Sequence, residues 1–330
     1  MNNDHPSKGV LVAQLDLAPD HSPVLRIEDL HVTYPGGAWA VRGIDLDIRA
    51  DEMVAIIGES GCGKTTVARS VLGMLGPRVG TSGSITVSGH RVLAHLGERD
   101  RPKASERDLR RLRGRGIGYV AQDPYSACNP LHCVRRHVEE AWRAHRMRPK
   151  RHEVYDSLER IGIANAPDAA EQYPHEWSGG MLQRATIAAA NAHAPPLLVA
   201  DEPTTALDSA VASTVLGNLR SSGAAVLLIS HSLSLVAGHA DRVAVCYAGR
   251  VVEEGATAEI LDAPRHPYSA ALLAATPRRG HGLPQPLPGQ PPHPSEKAPG
   301  CAFASRCREA TEECRNTTPQ LRDGVACFHR

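Results

Sequence analysis

Met53-Val-Ala-Ile-Ile57, followed by Gly58-Glu-Ser-Gly-Cys-Gly-Lys64-Thr65-Thr66, is the stretch on which the fold turns. Five apolar residues in a row suit a buried strand. The chain then breaks into glycines before Lys64–Met74, which reads as a helix. Strand, Gly-rich loop and helix in that order is the context that the phosphate-binding pattern G-x-x-x-x-G-K-[ST] requires. Glycines let such a loop wrap closely around an anion with its N–H groups turned inward. The helix behind it presents its positive end to the same phosphates. Gly58, Glu59, Ser60, Gly61, Cys62, Gly63, Lys64, Thr65 and Thr66 are therefore candidate nucleotide-binding residues. Lys64 is expected to reach the β and γ phosphates, and the Thr65 hydroxyl to ligate Mg²⁺. The bland alternative, a Gly-rich turn that binds nothing, is disfavoured by the elements on either side.

Two later strands end in polar residues of the complementary kind. Leu197-Leu-Val-Ala-Asp201-Glu202-Pro203 is an apolar run whose carboxylates emerge at its end, where open α/β sheets place their ligands. Asp201 suits the Mg²⁺ sphere, and Glu202 suits the polarisation of a water attacking the γ-phosphate. An acidic pair at the start of a loop is common, and gains its meaning from the phosphate loop upstream. Val226-Leu-Leu-Ile-Ser230-His231 repeats the design, which singles His231 out from the other histidines among the 17.

Around these motifs, short β-like runs fall at Leu25–Ile27, Val32–Tyr34, Ile44–Ile48, Ser84–Val87, Ile117–Ala121 and Val243–Tyr247. Residues 1–23 read as a flexible leader, and the Arg-rich stretch Glu98–Arg115 as a solvated helix face. Val134, Val138, Ala141 and Trp142, then Val154, Leu158 and Ile161, recur at helical spacing, so 123–176 reads as a helical insert. Strand–helix alternation predicts a parallel sheet covered by helices. Residues 277–300 contain eight prolines and read as a tether. The expected plan is a nucleotide-binding domain over 24–275 and a Cys-containing extension over 276–330.

Composition narrows the function class. The 330 residues are 42% hydrophobic and 22% charged, ordinary for a globular chain, and 37 basic against 36 acidic residues leave a net charge of +1. That balance supplies no pull toward nucleic acid or an anionic membrane. No run approaches the ~18 apolar residues of a membrane span, and the N-terminus lacks a signal-peptide pattern. A cytosolic chain is expected, so its eight cysteines are not expected to be structural disulfides.

Trp177-Ser178-Gly179-Gly180-Met181-Leu182-Gln183-Arg184, standing between the phosphate loop and the acidic strand, resembles the signature sequence of ABC ATPases, usually Leu-Ser-Gly-Gly-Gln. Methionine after the two glycines is similar to what peptide and nickel importers carry. Further elements follow in the family's order. Tyr34 resembles the aromatic residue that stacks on adenine, Gln122 the glutamine joining Mg²⁺ and water to the helical subdomain, Asp208 the loop that crosses to the partner ATPase, and His231 the switch histidine. The resemblance implies an α/β P-loop NTPase (ABC ATPase) with a parallel-sheet core, an antiparallel β subdomain, a helical subdomain and a small Cys-containing C-terminal extension. It implies ATP and Mg²⁺ as cofactors, with Glu202, His231 and Gln122 catalytic and Thr65, Gln122 and Asp201 around the metal. Ser178, Gly179 and Gly180 would complete the site of a second ATPase subunit, identical or related, in a head-to-tail dimer. The other implied partners are two transmembrane permease subunits and, indirectly, an external solute-binding protein, with no nucleic acid. The ATPase would lie on the cytoplasmic face of the membrane, and the cargo classes are oligopeptides, dipeptides, nickel and metal chelates. The alternative is a soluble ABC ATPase of DNA repair or translation; such proteins usually carry two cassettes or a coiled-coil insertion.

Cys301, Cys307, Cys314 and Cys327, spaced C-x5-C-x6-C-x12-C after His266-Pro-Tyr-Ser, resemble the C-terminal extension of oligopeptide and dipeptide importer ATPases. Clustered thiols in a reducing compartment suit a metal, yet the C-x2–4-C pairs usual for zinc are missing. The spacing suits an iron–sulfur cluster, and the resemblance points to a four-iron four-sulfur one, with zinc or free thiols as the alternatives.

Overall fold

The computed structural model describes residues 22–93, 104–276, 283–296 and 299–330. Residues 1–21 of the leader, the start of the Arg-rich stretch and parts of the tether (277–282 and 297–298) lie outside the described residues. The chain opens with β1 (Leu25–Tyr34), β2 (Ala38–Ile48), β3 (Met53–Ile57), α1 (Lys64–Val71), β4 (Gly80–Val87), β5 (His90–Leu93), α2 (Glu106–Leu112) and β6 (Ile117–Val120). A helical segment follows, with α3 (Val134–Arg143), α4 (Arg151–Arg160), α5 (Ala166–Ala169) and α6 (Gly179–Ala190). Alternation then resumes with β7 (Leu197–Asp201), α7 (Ser209–Arg220), β8 (Ala225–Ser230), α8 (Leu233–Val236), β9 (Arg242–Tyr247) and β10 (Arg250–Ala256). Helices α9 (Thr257–Asp262), α10 (Pro267–Ala274) and α11 (Glu312–Asn316) close the chain.

Two sheets result. One is antiparallel, in the order β2-β1-β4-β5; the other runs β10-β9-β3-β8-β7-β6, parallel throughout except for β10. The two runs foreseen at Leu25–Ile27 and Val32–Tyr34 are one strand, because Asp29 takes φ +46° and shifts the register without ending the pairing. In β3 successive side chains point to opposite faces, and both faces are covered. Val54 and Ile56 join the core shared with the antiparallel sheet, while Met53, Ala55 and Ile57 join the core under α7 and α10. Leu197 and Val199 against Leu198 and Ala200, and Leu227 and Ile229 against Val226 and Leu228, divide in the same way. That two-sided burial is why these strands read as continuous apolar runs.

A third core gathers Val134 and Val138 of α3, Val154 and Leu158 of α4, Ala166 and Ala169 of α5, Trp177, and Leu182, Ala185 and Ala188 of α6. Helix α6 also sends Ile187 and Ala190 into the sheet core, so it belongs to both bodies. The last residues dock on the free edge of β10, where Ala326 N–H donates to Val252 O (2.9 Å) and Glu254 N–H to Gly324 O (2.8 Å). An edge strand is thereby covered.

The turn into α10 is built on buried polar groups. Glu253, 1% exposed, accepts the N–H groups of Arg265 (2.7 Å) and His266 (3.0 Å). His266 Nδ1 accepts from Tyr268 N–H at 3.0 Å as the helix N-cap, with Pro267 in the first turn where its missing N–H costs nothing. Burial pushes the His266 imidazole down to about 4. Because the folded pKa lies below the unfolded value of roughly 6.5, stability from this group is whole above that pH. It is lost as the pH falls toward 4, by about 3 kcal/mol in all. We expect stability against urea to fall steeply from pH 7 to 4.5, and less so in His266→Asn, which keeps the capping acceptor without the titration. Equal pH slopes in the two proteins would count against this account.

Candidate functional site

The phosphate-binding loop is held where only glycine fits. Gly58 leaves β3 so close to β9 that a Cβ would lie 2.1 Å from the Cys246 carbonyl oxygen. Gly63 has φ +106°, and a Cβ there would stand 2.2 Å from Ala40 O. Helix α1 starts after Gly63 with no side-chain cap and no acidic residue in its first turn, so its positive end faces the loop uncompensated. Lys64 is buried, and its Nζ donates to Gly58 O (2.7 Å) and Glu59 O (3.0 Å), curling back over the loop. Tyr34, at the end of β1, lies beside the loop with its hydroxyl 3.4 Å from Thr66 Oγ1.

The acidic strand end meets this loop. Thr65 Oγ1 donates to Asp201 Oδ1 at 3.1 Å, which brings two hard oxygen ligands together as Mg²⁺ requires. Burial raises the Asp201 carboxyl above its usual range, and the neighbouring Glu202 raises it further, while the Thr65 hydrogen bond opposes both. A divalent cation would relieve that penalty. Glu202 takes φ +48°, a left-handed backbone for a residue with a Cβ, which turns its side chain out of line with the strand. Its carboxylate accepts from Gln122 Nε2 (3.3 Å) and Thr205 Oγ1 (3.0 Å) and lies 3.3 Å from His231 Nδ1. Three residues, from beyond the ends of β6, β7 and β8, thus converge on one carboxylate, the geometry a water-activating base needs.

The structure therefore brings together loop 58–66, Asp201, Glu202, Gln122, His231 and Tyr34. Ser178, Gly179 and Gly180 form a separate feature. Ser178 caps α6 by accepting from Met181 N–H (3.2 Å), and Gly180 packs so tightly that a Cβ would meet Val211 Cγ1 at 2.3 Å. Asp208 caps α7, accepting from Ala210 and Val211 N–H at 3.0 Å each. Two contributors escaped the sequence reading. Thr205 has no motif of its own beyond lying three residues after Glu202. Gln183 of α6, 1% exposed, donates to Ala121 O at 3.1 Å and so ties the signature helix to the residue before Gln122.

The cysteine tail brings the four thiols near one another without assembling a metal site among the described residues. Cys301, Cys307, Cys314 and Cys327 do share a neighbourhood, since the other three all raise the Cys301 thiol after burial has done so. Yet all eight cysteines are free, and among the described residues no group of three or more His, Cys, Asp or Glu side chains is arranged to hold a metal. Cys314 Sγ instead contacts Thr311 Oγ1 (3.3 Å) and His329 Nε2 (3.5 Å). Burial raises the Cys301 and Cys307 thiols above their ordinary range. The four-iron four-sulfur expectation finds no support in this arrangement. Packing holds the extension: Phe303 sits edge-on to Tyr247 (5.3 Å) and Tyr268 (5.4 Å).

Comparison with known proteins agrees with this geometry. The family profile described as "ABC transporter" matches residues 41–205, and that described as "Oligopeptide/dipeptide transporter, C-terminal region" matches residues 252–314. The chain is 40% identical to the dipeptide transport ATP-binding protein DppD of Bacillus subtilis, over 90% of each chain. It is 40% identical to the probable D,D-dipeptide transport ATP-binding protein DdpD of Escherichia coli, over 89% of this chain and 91% of that one. It is 39% identical to the oligopeptide transport ATP-binding protein OppD of Mycobacterium tuberculosis over 94% of its own length, which is about half (51%) of that relative's. Among solved structures, cbiO1 of Clostridium perfringens, part of the cbiONQ transporter complex, superposes with a TM-score of 0.61 at 28% identity, over 72% of this chain and 90% of that one. The cassette MJ0796, described as a dimer bound to ADP and Pi, shares the fold with a TM-score of 0.59 at 24% identity, over 71% of this chain and 98% of that one. The chain belongs to the ABC transporter ATP-binding family, and within it to the branch that carries the oligopeptide/dipeptide C-terminal region.

Proposed function

We propose that this chain hydrolyses ATP to energise an importer of peptides, oligopeptides or dipeptides. The observation that carries the reading is the Glu202 carboxylate, gathered by Gln122, His231 and Thr205 one residue beyond the Thr65–Asp201 pair. In this reading Gly58–Thr66 wraps the phosphates, Lys64 leaves the carbonyls of Gly58 and Glu59 for the β and γ phosphates, and Tyr34 stacks on the adenine. Thr65, Asp201 and Gln122 would hold Mg²⁺, which would supply neutralisation of the phosphate charge. Glu202 takes the proton of the attacking water, and His231 orients Glu202 and contacts the γ-phosphate.

The working unit is a head-to-tail pair with a second ATPase subunit, identical or related. Ser178, Gly179 and Gly180 face the nucleotide of that partner, and Asp208 lies at the crossing between the two. Residues 24–275 would be the nucleotide-binding domain, with 123–176 as its helical subdomain and 276–330 as the extension. The pair sits at the cytoplasmic face of the membrane beneath two permease subunits, which an external solute-binding protein supplies. Peptide cargo is favoured over nickel or a metal chelate because the relatives compared are named for oligopeptides and dipeptides.

Replacing Glu202 by Gln keeps shape and removes the base. Hydrolysis by the assembled transporter should fall by at least about a hundredfold, the lower end of general-base contributions. Binding of ATP, measured by equilibrium dialysis, should persist. Full turnover in that variant would remove Glu202 from the mechanism. A second measurement addresses the partners: affinity capture of the chain from gently solubilised membranes should bring two multi-span permeases and an ATPase subunit. Capture of ribosomal or DNA-repair proteins instead would leave ATP hydrolysis standing and end the transport reading.

A further inference from the structure

The C-terminal extension reaches back to the phosphate-binding loop through one side chain. Arg306 is 8% exposed, and its guanidinium forks onto Glu59, with Nη1 2.7 Å from Oε2 and Nη2 3.1 Å from Oε1. Nη1 also donates to Tyr247 Oη (3.2 Å) and Nε to Pro288 O (2.7 Å), so the fork is fixed on its far side as well. The cation lies 5.7 Å from the Tyr247 ring centroid and 5.8 Å from that of Phe303. On the loop side, Glu59 N–H donates to the hydroxyl of Tyr268 at 2.9 Å. Glu59 is thus held by its backbone and by its carboxylate, both from elements C-terminal to β10. Its carbonyl, with that of Gly58, is what Lys64 rests on. A bidentate Arg–carboxylate pair fixes orientation as well as distance, which a lysine at the same place would not do.

We propose that Arg306 is a positioning residue of the nucleotide site, acting through Glu59 to hold the first turn of the phosphate-binding loop, and with it Lys64, in the conformation that receives the triphosphate. The extension then sets ATP affinity as well as covering the edge of β10. The inference rests on ATP binding at this loop and adds to it a residue that lies outside the nucleotide-binding motifs.

The test is a double-mutant cycle on the full-length chain: Arg306→Ala, Glu59→Ala, both together, and Arg330→Ala as a control that breaks a surface pair with Glu309 in the same extension. Equilibrium ATP binding, KM and kcat for ATP, and the melting temperature without nucleotide are measured for each. A charged hydrogen-bonded pair of this kind is worth about tenfold in an equilibrium constant. Each single change should therefore weaken ATP binding and raise KM by about that factor, the double by no more, with kcat shifted less than about threefold. Arg306→Lys, which keeps the charge but not the fork, should recover only part of the affinity. Melting temperatures should order differently, with Glu59→Ala the worse single change because it leaves a buried guanidinium unpaired. Arg330→Ala should match wild type throughout. Lower melting temperatures with unchanged ATP affinity would reduce the pair to a structural staple and overturn the proposal; so would effects that multiply in the double variant. If Arg306→Ala does not fold, Glu59→Ala decides alone, and an affinity within twofold of wild type overturns the proposal. A wild-type chain that bound no ATP would overturn the site and the inference together, whereas wild-type binding with unshifted variants overturns the inference alone.

Discussion

Between β3 and β9 the two backbones approach until a Cβ on Gly58 would stand 2.1 Å from the Cys246 carbonyl. Strand β3 is paired on both sides, with β8 and β9, in a register that leaves it no freedom to retreat. The chain leaving it must therefore turn within a residue, and glycines at 61 and 63 carry that turn through left-handed angles that side-chain-bearing residues avoid. Helix α1 is then launched with its first N–H groups unclaimed by any side-chain cap. The neighbouring strands β7 and β8 end at the same level and deliver Asp201, Glu202 and His231. The chemistry is thus a by-product of where a parallel sheet stops, and the glycines are what let the chain stop there.

Much of this is legible in the residues because the physics is local. Both-face burial makes β3, β7 and β8 unbroken apolar runs, and loop, acid and histidine follow them at once. Helical spacing at Val134, Val138, Val154 and Leu158 correctly marks the stripe that fills the third core. What escaped is long-range. Strand β10 mixes Val251 and Val252 with Arg250, Glu253 and Glu254; Glu253 is buried against the N–H groups of Arg265 and His266, and the half-buried Glu254 pairs with Arg242. The Arg306–Glu59 pair spans 247 positions, and nothing local to either residue points to the other. The cysteines show the converse: four thiols in a short tail suggest a metal in the sequence, while among the described residues no group of three or more His, Cys, Asp or Glu side chains is arranged to hold one.

Among the described residues nine that are not glycine take left-handed angles, and Glu202 is the one of them at the convergence of Gln122, Thr205 and His231. Glu202 holds φ +48° although asparagine or glycine would adopt that angle more readily. Its N–H is fixed to Ile229 O (2.9 Å) on β8, and its carboxylate to Gln122 and Thr205. The sheet edge thus over-determines an angle that the residue alone would abandon. Asp201, one residue earlier, stays in the strand and points to Thr65. A single turn of backbone separates a carboxylate suited to a metal from one suited to a proton.

Helix α6 is shared between two bodies. Leu182, Ala185 and Ala188 are packed among the helices, whereas Ile187 and Ala190 are packed under the sheet, where the Ala190 carbonyl would touch a Cβ on Gly118. Twelve residues make a rod about 18 Å long. A rod clamped at its C-terminal end and carrying Ser178–Gly180 at the other is a lever: a tilt of about 10° sweeps its tip by about 3 Å, the length of a hydrogen bond. Gln183 grips the backbone beside Gln122 one turn from that tip, so the glutamine that touches Glu202 and the serine at the lever's end are geared to a common axle.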